Sequence, residues 1–266
     1  MLGGDDEISR DHDWGPQFDL FLPADDYAAF GEPLSRAMNE AAPNPCKGYR
    51  LAGAGDQSVR VESIPGWFQK AFKLARPPLA TSEWPPTSPV SESVLYFLRH
   101  GEIWVDGTGE LGQWRSALHE YPAEILRARL AEECFRVWHH GEYNFVQRMA
   151  RRRDPIAIAV CLGEFVTGVM RIVLLAARDF TPYWKWLAYE FRKRPEARDY
   201  VALLEELVST QCIQRQVEIV QSLCALVHRQ LVDGGWVTGK GGNPYLLPLL
   251  NDNIELKGGT EHLGRA

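Results

Sequence analysis

The sequence predicts an α+β protein, with a small mixed β-sheet lobe in its first 110 or so residues and a C-terminal helical bundle after it. Two observations carry this. Up to about residue 112, short strand-like stretches alternate with a helical pattern, whereas from Gln113 onward apolar residues recur at helical spacing. The chain also has ample material for a core, since 45% of its 266 residues are hydrophobic and 11% aromatic. The expected divisions are an α/β domain over 1–112, a helical bundle over 113–235 and an irregular tail over 236–266.

Each element has a local reason. "FDLFL" (18–22) is a short, mostly apolar strand ended by Pro23. Asp25 or Asp26 then caps a helix in which Tyr27, Phe30, Leu34 and Met38 recur at helical spacing. "SVRVES" (58–63) alternates, with Val59 and Val61 on one face and Arg60 and Glu62 on the other. "ARPPLATSEWPPTSPVSES" (75–93) has five prolines and reads as a loop, serving as a connector or a lid. "EIWVDGTGEL" (102–111) reads as a strand entering a Gly-rich turn.

Helices follow. One runs from Trp114 to Tyr121 and stops at Pro122; a second covers Ala123 to His139. Asp154-Pro155 is a cap-and-first-turn signal for a helix reaching about Arg178. "YWKWLAYEF" (183–191) is amphipathic. Asp199 to Asp233 is a long helical pattern with a break near Ser209–Thr210, stopped by Gly234-Gly235.

Composition also excludes classes. A net charge of −6 gives no reason to expect a nucleic-acid binder, though it suits a cationic substrate. Five cysteines without C-x-x-C spacing, four of them in apolar helical patterns, suit a reducing, cytoplasmic setting, and no signal peptide is evident. The apolar stretch from Ile156 to Ala177 could span a bilayer by length, but Glu164 and Arg171 within it are costly in lipid. It reads as a buried bundle helix, and no membrane partner is expected. No P-loop, G-x-S-x-G, Rossmann or zinc-ligand spacing is present.

The chemistry-bearing candidates are acidic. In "SRDHDWGP" (9–16) an extended backbone would project Asp11 and Asp13 from one face, their Cα atoms about 6.6 Å apart. Two such carboxylates can converge on a hard cation, which prefers oxygen ligands. Glu62 on a neighbouring strand would complete a set of three. An Asp-x-Asp pair is also ordinary in a surface turn, and spacing alone favours that blander role.

"LGGDDEISRDHDWGPQFDLFL", "VESIPGWF", "GEIWVDGTGEL" and "FTPYWKWLAYEF" together resemble a bacterial family known only as a domain of unknown function, number 4037. That family is itself similar to the nucleotidyltransferases of DNA-polymerase-β type, the group that holds the kanamycin nucleotidyltransferases. The resemblance implies that residues 1–112 form the nucleotidyltransferase-like lobe. It implies that Asp11 and Asp13 hold Mg²⁺ and the triphosphate of ATP or another NTP, with Glu62 binding the metal and polarising an acceptor hydroxyl. The acceptor would be a small molecule or a protein. The superfamily's Gly-Ser or Gly-Gly phosphate turn lies nine to thirteen residues before the acid pair and follows a strand. Here Gly3-Gly4 precedes Asp11 more closely, so the resemblance implies either a shortened start or a lost phosphate cradle. With a lost cradle, the fold would serve as a nucleotide-binding or regulatory module.

Four further residues have two open roles. Glu164, Arg171 and Arg178 recur every seven residues and form a stripe, either an ion-pair network with the next helix or the wall of a cleft. In the second role Glu164 is an auxiliary base and Arg171 meets phosphate. Lys185, in "YWKW", either covers a core aromatic or contacts a phosphate.

Overall fold

A computed structural model of the chain describes residues 15–50, 57–85 and 89–237 and forms two units, Met1–His119 and Glu120–Ala266. In the first unit β1 (Phe18–Leu22) and β2 (Val59–Ser63) pair in parallel, Phe18 beside Val59 and Phe21 beside Glu62. The helix between them, α1 (Ala24–Ala41), is the crossover that a parallel pair requires. Pro23 occupies its N-cap, and Asp25 and Asp26 sit in the first turn instead, where carboxylates suit the positive helix end. Asn39 near the end of α1 clamps β2. Its Nδ2 donates to the Val59 carbonyl at 2.8 Å, and its Oδ1 accepts from the Val59 N–H at 3.1 Å.

β2 runs directly into α2 (Ile64–Phe72), whose N-cap Ser63 accepts from the Gly66 N–H at 3.1 Å. The core of this unit gathers Val59, Ile64, Phe68, Phe72, Leu95, Tyr96 and Trp114. Part of the proline-rich loop is tied down: Arg76 Nη1 donates to Glu83 Oε2 at 3.0 Å, and the same oxygen accepts from the Leu79 N–H. α3 (Pro89–His100) begins inside the stretch expected to be loop, because Pro89 sits in the helix's first turn, where a missing N–H costs nothing.

Two expectations are corrected. Residues 102–106 form no strand: Trp104 and Val105 are 74% and 86% exposed, so this short apolar run is neither buried nor paired. The described sheet is therefore two parallel strands rather than a mixed sheet. The first unit runs to His119. α4 (Glu110–Ala117) belongs to the first unit because Trp114 stacks on Phe68 with ring centroids 4.0 Å apart.

The second unit is helical. α5 (Ala123–Trp138) continues into a π-helix (His139–Met149) and a last α-turn, α6 (Ala150–Arg152). α7 (Pro155–Ala176) packs on this rod, and two glycines set how closely. A Cβ at Gly168 would lie 2.8 Å from Val137 Cγ2, and one at Gly141 would lie 2.6 Å from the Phe165 ring. Asp154 caps α7, accepting from the Ile156 N–H at 2.9 Å. α8 (Trp184–Arg192), α9 (Arg198–Ser209) and α10 (Ile213–Asp233) complete the unit.

The expected break lies between α9 and α10. The buried Gln216 side chain donates to the Thr210 carbonyl at 3.0 Å and so satisfies the end of α9. α10 stops where glycine permits a left-handed residue: Gly235 has φ 70°, and the Trp236 N–H donates back to the Leu231 carbonyl.

Candidate functional site

Glu62 lies on β2 as the alternation predicts. Val59, on the other face, is 1% exposed, whereas the Glu62 side chain is 38% exposed. Arg60 shares the Glu62 face and donates from Nε to Asp19 of β1 at 2.7 Å, which satisfies both of those charges. Among the described residues Glu62 has no such close partner, and its cation is Lys70 Nζ at 3.9 Å, a loose contact on an 80% exposed side chain. Phe21, beside Glu62 in the register, is held by an edge-on contact with Trp67 at 5.6 Å.

Asp11 and Asp13 lie outside the described residues, as does Gly3-Gly4. Among the described residues no group of three His, Cys, Asp or Glu side chains is gathered closely enough to hold a metal ion. β1 begins five residues after Asp13, so the acid pair leads by a short segment into the strand beside Glu62.

The other candidates lie in the second unit. Glu164 accepts from Arg136 Nη1 of α5 at 2.5 Å, and Arg171 reaches Glu133 Oε1 at 3.3 Å. Glu133 also takes Arg136 Nε at 2.9 Å and Arg129 at 3.6 Å, and its own side chain is only 1% exposed. The seven-residue stripe of α7 thus forms one ion-pair network with α5. Arg178 leaves this pattern and stands 5.2 Å over the Trp236 ring. Lys185 is exposed at the start of α8, its ammonium 5.7 Å from the Trp186 ring centre.

Two residues of chemical interest are not legible in the sequence. Glu133 is the centre of the network, signalled only by the charges Arg129, Glu132, Glu133 and Arg136 at helical spacing. Glu142, inside the π-helix, is 4% exposed, and its Oε2 is buried without a hydrogen-bond partner among the described residues. Burial pushes its carboxyl up to about 7. The neighbouring thiols stay neutral: burial pushes Cys134 up to about 12 and raises Cys224 as well, aided by the Glu142 charge. All five cysteines are free.

Residues 88–187, from α3 into α8, match the family model described as a domain of unknown function (DUF4037). No curated protein and no solved structure matches the chain.

Proposed function

We propose that the chain is a Mg²⁺-dependent nucleotidyltransferase that moves a nucleoside monophosphate from ATP or another NTP to a hydroxyl of a small molecule or protein. The observation that carries this is the outward, loosely paired carboxylate of Glu62, on the strand beside the one into which Asp11 and Asp13 lead. Three carboxylates are the donor set that a hard divalent ion prefers. When bound, the metal supplies charge neutralisation and alignment of the attacking and leaving oxygens.

In this reading Asp11 and Asp13 orient the triphosphate, and Glu62 takes the acceptor's proton as its oxygen attacks the α-phosphorus. The α–β bridging bond breaks and pyrophosphate departs. Lys185 of the helical unit is exposed and has no anionic partner among the described residues. Glu164 and Arg171 hold that unit together through Glu133 and Arg136.

The test is thermal unfolding of the full chain with ATP, with and without Mg²⁺, combined with a pyrophosphate-release assay. Saturation at one hundred times Kd should stabilise the native state by about 2.7 kcal/mol. That gain should need Mg²⁺ and disappear in Asp11→Asn/Asp13→Asn and in Glu62→Gln. Metal-dependent binding that survives all three substitutions refutes the assignment. Binding without any pyrophosphate release, across candidate acceptors, identifies a nucleotide-binding module instead.

A further inference from the structure

We propose that the corner between α6 and α7 docks on the anionic surface of a lipid bilayer. It contains three consecutive arginines, Arg151, Arg152 and Arg153, all exposed and without a side-chain hydrogen bond or ion pair among the described residues. The backbone turns there, with Arg153 in the left-handed region at φ 56° and its N–H bonded to the Met149 carbonyl at 2.9 Å. The next helix opens with exposed aliphatic residues. Ile156 is 76% exposed and Val160, one turn later on the same face, is 62% exposed. Between Asp154 and Glu164 the helix carries no charged side chain, and the Asp154 carboxylate is engaged by the Ile156 and Ala157 N–H groups.

The pairing of these two features selects the occupant. Nucleic-acid phosphates would use the arginines but have no use for exposed isoleucine and valine beside them. An anionic headgroup layer takes both, with phosphates meeting the guanidinium groups and the acyl boundary receiving the aliphatic side chains. α7 is long and apolar enough to cross a membrane, with half of its most apolar window buried. The buried half is committed to the bundle through Phe165, Val169 and Ile172, and Glu164 and Arg171 are tied to α5, so the contact is peripheral. The sequence alone suggests no membrane partner, because Glu164 and Arg171 argue against a span, and a peripheral contact needs none. The overall charge opposes an anionic surface, but beyond about a Debye length of 8–10 Å it is screened, which leaves the local arginines to act.

The experiment is flotation of the full chain with phosphatidylcholine vesicles, with and without phosphatidylserine. The wild type should bind only the phosphatidylserine-containing vesicles and be released by raised salt. Arg151→Glu/Arg152→Glu should weaken partitioning by more than about twentyfold, since each arginine near the surface contributes on the order of fivefold. Ile156→Ser/Val160→Ser should weaken it as well. These positions are exposed, so both variants should keep the wild-type circular dichroism and melting temperature. Absence of binding, equal binding to neutral vesicles, or charge reversal without effect overturns the proposal. So does concentration-dependent self-association that Ile156→Ser/Val160→Ser abolishes while no form of the protein binds vesicles.

Discussion

Glu142 offers the most direct test of the helical unit's energetics. Its carboxyl sits inside the π-helix at 4% exposure, with Oε2 buried and unbonded among the described residues. Ionising it there strands a charge, so its proton is held up to about 7, against 4.5 for an ordinary glutamate. The native state therefore binds more protons than the unfolded chain between those values, and stability falls as pH rises. The Glu142 contribution is fully present below 4.5 and is lost by the time pH passes about 7.

At 1.36 kcal/mol for each pKa unit, the loss is about 3 kcal/mol in all, of which about 2–3 kcal/mol falls between about pH 5 and pH 8. For a chain of 266 residues this corresponds to a melting temperature lower by roughly 5–12 °C at the alkaline end. Glu142→Gln keeps the shape and removes the titration. The difference between variant and wild-type melting temperatures should therefore shift in the variant's favour across that range. A difference that stays constant from pH 5 to pH 8, or moves in the wild type's favour, would refute the reasoning.

Two stability predictions concern joints between elements. Glu133→Gln leaves Arg171 and Arg129, both mostly buried, without their shared carboxylate, and should lower the urea-unfolding free energy by about 3–5 kcal/mol. An effect under about 1 kcal/mol would mean the pairs are solvated in solution. Asn39→Ala removes both bonds to Val59, whose backbone is then buried and unsatisfied, and should cost about 1–3 kcal/mol. Hydrogen exchange at the Val59 amide should rise in that variant, and an unchanged rate would sink the clamp.

Helix ends were the most legible part of this chain. The Asp154 cap, the Pro155 first turn and the Gly234-Gly235 stop all act on their own backbone, so composition within a few residues suffices. The βαβ unit was legible for a similar reason, since alternation in "SVRVES" places Val59 inward and Glu62 outward. "EIWV" misled because a short apolar run is compatible with a strand only if another strand or a core receives it, and neither does. The extension of α5 as a π-helix was also hidden, because apolar spacing does not distinguish the two ladders over so few turns.

By itself, the sequence determined the α+β class, the helical character of the second unit, the Asp154 cap, the Gly234-Gly235 stop and the face on which Glu62 stands. Those are local properties, written within one or two turns of the residues that show them. Only the tertiary structure decided that Glu164 and Arg171 close an ion-pair network through Glu133. It alone assigned α4 to the first unit and left Glu142 Oε2 buried without a hydrogen-bond partner among the described residues. The physical reason is that charge pairing and desolvation depend on neighbours from distant segments. Thirty-eight residues separate Glu133 from Arg171, and no pattern within either helix records the other.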